Sequence, residues 1–129
     1  MAKTFLLIAA ISGGLAVVLG AFGAHGLKGR LPEDLLAVYH TAVEYQFYHT
    51  FALLAAGLLL AMYPHGRLFV WSGALFVAGL LIFSGSLYLL VATNQRWLGA
   101  VTPLGGLAFI AAWVVLACGI YRHIPVANV

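Results

Sequence analysis

The chain has 129 residues, of which 64% are hydrophobic and 7% charged, with a mean hydropathy of +1.08. A soluble domain carries roughly 25% charged residues, so this chain could not cover a water-facing surface, and the bilayer is its expected solvent. The net charge of +3 comes from six scattered basic residues that form no run, which excludes a nucleic-acid footprint and makes membrane lipids the expected partners.

Four stretches approach or reach the roughly 20 apolar residues that a helical span requires. They run over about 4–24, 45–63, 68–92 and 102–121. No period-2 alternation is long enough for a barrel strand, so the expected fold is all-α and integral to the membrane, a single domain built as a four-transmembrane-helix bundle. The first stretch resembles a secretory signal, with Lys3 before an apolar run from Phe5 to Phe22. That run is long for a signal core of roughly 7–15 residues, and it is read as a retained first span.

The connection that follows is the unusual one. Gly23-Ala24-His25-Gly26-Leu27-Lys28-Gly29-Arg30 is glycine-rich and expected to be irregular. Leu31-Pro32-Glu33-Asp34 reads as a helix start, with proline tolerated early and acids at the positive end of the dipole. No breaker separates Glu33 from Tyr63, but one helix of about 31 residues would be about 46 Å long, against a hydrocarbon core of about 30 Å. The preferred expectation is a short interfacial helix over about 32–44, bent near His40 to Glu44 before the second span; a single long helix is the alternative. Pro64-His65-Gly66-Arg67 and Thr93-Asn94-Gln95-Arg96 read as turns flanking the third span. Thr102-Pro103 reads as cap and first position of the fourth, and a short tail ends the chain.

Small residues recur at helical spacing: Gly13, Ala16, Gly20 and Gly23 on span one; Ser72, Gly79 and Ser86 on span three; Gly105, Ala108, Ala112 and Gly119 on span four. Such faces let helices approach closely in lipid, within one bundle or between subunits. Cys118 sits in an apolar run and reads as a small buried hydrophobe. Basic residues divide three and three between the two sides, and the α-amino group favours both termini in the cytoplasm.

The ionisable residues concentrate between Ala24 and Thr50, which contains all three acids and three of the five histidines. Such groups in an apolar chain mark a site or a membrane surface. Placing the spans in order collects His25, Glu44, Gln46, His49, Ser84, Ser86 and Thr102 at the end of the bundle near the first and third loops. This polar cluster is the candidate site, with a binding or a structural role. His40, Glu44 and Tyr48 form one stripe, with Tyr45 and His49 beside it. His49 is expected to be a structural histidine bonded to Ser84, Ser86 or a carbonyl of the first loop. Ser84 or Ser86 with His49 and Glu44 could be drawn as a nucleophile set, but no nucleophile-elbow motif surrounds the serines. Joint haem ligation by His25 and His49 has no attachment motif behind it. Neither catalysis, nor a metal, nor a cofactor is expected. Tyr39, Tyr45, Tyr48, Tyr63, Trp71, Tyr88, Trp97 and Tyr121 read as an interfacial aromatic belt.

Four blocks carry a family resemblance: Gly20-Ala21-Phe22-Gly23-Ala24-His25-Gly26-Leu27; Tyr45-Gln46-Phe47-Tyr48-His49; Phe83-Ser84-Gly85-Ser86-Leu87-Tyr88; and Thr102-Pro103-Leu104-Gly105-Gly106. In this order they resemble the YgdD-like family, domain of unknown function 423, which is similar to transmembrane protein 256. The resemblance implies a small bacterial inner-membrane protein of about four helices and supplies no substrate. The expected role is that of a non-catalytic homo-oligomer or an accessory subunit of a larger membrane complex. The alternatives are an oligomeric proton, ion or small-solute transporter or channel, and a lipid- or quinone-binding protein.

Overall fold

The structure, a computed structural model, describes residues 1–125; the end of the expected C-terminal tail lies outside them. All regular structure among the described residues is helical. Helix α1 (Ala2–Phe22) runs on through a π-helical turn (Gly23–Leu27). Helix α2 spans Glu33–Met62 without interruption. Helix α3 (Arg67–Gly79) passes through a second π turn (Leu80–Ser84) into α4 (Gly85–Thr93). A 3₁₀ turn (Arg96–Ala100) leads to α5 (Thr102–His123). Four continuous helical segments are therefore long and apolar enough to cross a membrane: Ala2–Leu27, Glu33–Met62, Arg67–Thr93 and Arg96–His123.

The separate interfacial helix does not form. Its residues are the first turns of α2, which begins at Glu33 directly after Pro32 and carries both acids in its first turn. Kinks need a proline, a glycine pair or a π turn, and α2 holds none of these between Glu33 and Met62. At 1.5 Å per residue the 30 residues of α2 run about 45 Å, more than a hydrocarbon core of about 30 Å. The glycine-rich segment is also more ordered than expected, because the π turn carries span one to Leu27 before the chain turns at Gly29, whose φ of +77° suits glycine. The third loop turns at Asn94, φ 55°, where asparagine is the side chain best able to adopt a left-handed conformation.

The helices pack in the order α1 on α2, α2 on α3 and α4, and α3 on α5. Helix α2 is consequently the most buried span and α1 the least. Phe5, Leu53, Phe69, Phe76, Phe109 and Leu116 form the centre of the core. Rings lie over glycines: a side chain at Gly79 would meet Phe109, and one at Gly119 would meet Phe69. At Gly105 it would meet the backbone of Phe83, in the second π turn, so these two helices touch main chain to main chain.

The α1–α2 register fixes depth. Gly13 lies opposite Thr50, Gly20 opposite Val43 and Leu6 opposite Gly57, so facing positions sum to 63. The apolar run Phe5–Phe22 is centred between residues 13 and 14, which puts the middle of the membrane beside residues 49 and 50 of α2. At 1.5 Å per residue, a core of about 30 Å covers roughly residues 40–59 of α2.

Candidate functional site

Residues near the bilayer centre carry a chain of hydrogen bonds between helices. Tyr88 Oη, on α4, donates to Gln46 Oε1 on α2 at 2.7 Å. Gln46 Nε2 donates to the Ser12 carbonyl of α1 at 3.0 Å and more weakly to Ser12 Oγ at 3.4 Å. Ser12 Oγ pairs with Thr50 Oγ1 at 2.7 Å. One glutamine thus ties three spans together, with every polar atom of its amide bonded. Helix phase brings this about, since Gln46 and Thr50 are four residues apart on the buried face of α2.

Further bonds flank this seam. Tyr39 Oη donates to the Leu19 carbonyl at 2.7 Å, and its ring packs edge-on against Tyr88 at 5.5 Å. Ser84 Oγ donates to the Ala42 carbonyl at 2.9 Å, and Ser72 Oγ to the Ala112 carbonyl at 3.0 Å. Ser86 Oγ donates to the Phe83 carbonyl at 2.9 Å, leaving the Thr102 hydroxyl to donate to Ser86 Oγ at 2.7 Å. Among the described residues no buried side-chain nitrogen or oxygen lacks a partner.

The expected cluster of seven therefore resolves into separate places. Gln46 and Ser84 face the α1–α2–α4 seam, whereas Ser86 and Thr102 form their own pair between α4 and α5. Thr102 is the first residue of α5 and uses its hydroxyl across the helix pair instead of capping. His49 is buried, but neither serine nor the first loop bonds it. Its Nδ1–H donates to the Tyr45 carbonyl one turn back at 2.8 Å, and its ring lies flat on Phe109 at 3.5 Å. That tautomer leaves Nε2 as the acceptor. His25 and Glu44 do not join the cluster: both are exposed, and the first π turn sends His25 back to the Ala21 carbonyl. Tyr39 and Tyr88 point into the bundle and are not belt residues. Cys118 is exposed on the outer side of α5, contrary to the buried position expected.

Tyr39 and Tyr88, expected in the aromatic belt, complete the seam together with Ser12 and Thr50, which were not singled out from the sequence. For Ser12 the signal was available, since it is the one polar residue between Phe5 and Ala24. No group of three His, Cys, Asp or Glu side chains could hold a metal ion among the described residues. At the rim, outside the hydrocarbon, Arg96 donates to Asp34 at 2.9 Å and ties the third loop to the start of α2. The guanidinium holds the Asp34 carboxyl below its ordinary range.

Between α1 and α3–α4 lies an apolar groove of about 340 Å³ walled by Ile8, Ile11, Leu15 and Leu81. Ser12, Gln46, Ser84 and Tyr88 line its polar part.

These features define a multi-pass helical membrane protein whose spans are pinned by inter-helix hydrogen bonds. The chain belongs to the family described as "Protein of unknown function (DUF423)", whose model matches residues 19–106. It is 43% identical over 122 residues to the UPF0382 membrane protein YwdK of Bacillus subtilis, covering 95% of this chain and 99% of the relative. It is also 41% identical over 123 residues to the UPF0382 membrane protein SAB0533 of Staphylococcus aureus, covering 93% and 97%. No solved structure matches it.

Proposed function

We propose that this protein acts by lateral association in the bacterial inner membrane, as a non-catalytic homo-oligomer or as an accessory subunit of a larger complex. One observation carries the reading: the buried hydroxyls and the Gln46 amide each bond another span or their own helix. Ser84 and Ser86, the serines nearest His49 in the sequence argument, each donate to a backbone carbonyl. Their role in this reading is to hold helices together, and function is exercised through the outer faces. Transport along a His25–Glu44–His49 path has less behind it, because those side chains occupy different faces.

Native mass measurement after mild-detergent extraction, with a tagged chain as bait, tests this proposal. A dimer or higher oligomer, or stoichiometric co-purification of another membrane protein, is expected. A bare monomer across several detergents and lipid nanodiscs would sink it. Both termini are proposed to be cytoplasmic, supported by the α-amino group on the side that carries Lys3, Arg67 and Arg122. Membrane-impermeant thiol labelling of a cysteine added at either terminus, in a Cys118→Ser background, decides the orientation.

The groove beside α1 favours one second reading, in which it holds a lipid or quinone whose polar group reaches Ser12 or Tyr88. Extraction followed by mass spectrometry should then find a retained lipid that Leu81→Trp displaces. An equal yield from both proteins would count against it.

A further inference from the structure

The outer face of α2 carries polar groups where hydrocarbon offers them nothing. Glu44, Tyr48, Phe51 and Ala55 lie along one exposed stripe at successive turns. From the register with α1, the Tyr48 backbone is about 2 Å from the bilayer centre and that of Glu44 about 8 Å from it, at 1.5 Å per residue. Tyr48 is 56% exposed. Within the described chain its phenol makes no hydrogen bond, and the one ion pair there, between Arg96 and Asp34, leaves Glu44 out. The inner face of the same helix, at the same depth, has its polar atoms bonded. An unbonded hydroxyl and an exposed carboxyl in hydrocarbon are costly, and lipid tails cannot relieve them.

We infer that this stripe is the contact between two copies of the chain, with the Tyr48 phenol of each donating to Glu44 of the other. The inference rests on the homo-oligomer arm of the proposed function. A donor and an acceptor on one face make it self-complementary, as a two-fold contact requires: each copy supplies what the other lacks. Copies inserted in the same orientation set their α2 helices parallel. A helical side chain leans toward the N-terminus of its helix, so the Tyr48 hydroxyl rises from its own level toward that of Glu44, one turn away. Glu44 leans the same way but is shorter, so in a parallel pair the longer phenol of one copy gains on the carboxyl of the other. Ala55, further along the stripe, removes bulk where the helices cross.

Disulfide cross-linking in lipid vesicles tests the contact, in a Cys118→Ser background. Phe51→Cys on the stripe should cross-link to a dimer, and Leu107→Cys on the outer face of α5 should not. By native mass, Tyr48→Phe and Glu44→Leu should each weaken the dimer about tenfold, whereas Glu44→Gln, which keeps an accepting oxygen, should weaken it less. Circular dichroism checks that each variant keeps its helices. A native dimer in which Phe51→Cys fails to cross-link and Tyr48→Phe changes nothing overturns this interface and leaves oligomerisation standing. A monomer by both methods overturns both. Cross-linking of Phe51→Cys to a different host protein alone overturns the two-copy contact in favour of the accessory arm.

Discussion

Helix α1 is held to α2 by hydrogen bonds over small residues, whereas α3 is held to α5 mainly by phenyl rings lying over glycines. On the first flank Ser12, Gln46, Thr50 and Tyr39 supply the bonds, and Gly13 and Gly20 let the backbones approach. On the second, Phe69 and Phe109 fill the space above Gly119 and Gly79, with a single cross-bond from Ser72 to Ala112. Lipid tails are as apolar as leucine, so neither flank gains from water exclusion, and each depends on packing or on bonds that lipid cannot make. The packed flank distributes its stability over many atoms. The bonded flank concentrates it in a few, and it belongs to the least buried span.

Substitutions should separate the two kinds of contact. The largest effect is expected at Gly105, where an added side chain strikes the Phe83 backbone, which cannot swing aside. Gly105→Leu should cost about 3 kcal/mol or more and push the second π turn away from α5, visible as a large fall in melting temperature in detergent. Gln46→Leu comes next. It leaves the Tyr88 phenol without its acceptor and frees the α1 contact, at about 1–2 kcal/mol. Adding Tyr88→Phe should recover part of that loss, because the stranded donor is then gone, and a double-mutant cycle measures the coupling. Full additivity of the two changes would break the account of a shared seam. Ser72→Ala should cost only about 0.6 kcal/mol, the average for one hydrogen bond between membrane helices. If it matched Gln46→Leu, the packed flank would be as bond-dependent as the other.

The smallest effect is expected at the rim. Arg96 and Asp34 are both exposed, and Asp34→Asn should leave the melting temperature unchanged at physiological salt. The folded carboxyl titrates below its unfolded value because Arg96 bonds it. Any stability from the pair is therefore present above the ordinary carboxylate range and lost as pH falls through the folded value. Melting at low salt across the acid range checks the sign: Asp34→Asn should flatten a dependence that the native chain shows there.

The four spans were legible because hydropathy and length are local properties, and the turns at Pro64–Arg67 and Thr93–Arg96 carried their own residues. What failed was phase. Glu44 and Gln46 are two residues apart, and on a continuous α2 they point to opposite sides, one out and one in. Placing them in one cluster rested on depth along the span alone and left the angular position of each side chain out of account. His25 failed for a related reason, since a π turn turns it outward, and nothing in composition announces such a turn. Ser12 is an instructive omission: one serine in an apolar span looks incidental until the facing helix supplies a glutamine and a threonine at its level.

The π turn at Leu80–Ser84 acts as a phase adjuster in the third span. A π turn holds about one residue more than an α turn, so everything beyond it is rotated by about 100° relative to a regular helix. Before it, Ser72 addresses α5; at its end, Ser84 addresses α2; two residues later Ser86 addresses α5 again. Forcing Leu80–Ser84 into a regular α turn without shortening the chain would aim Ser86 and Tyr88 at the wrong neighbours, whereas deleting one residue there would remove the surplus and keep their aim. In this span the surplus residue and the wider turn that houses it belong together, and the direction of everything beyond depends on keeping both or losing both.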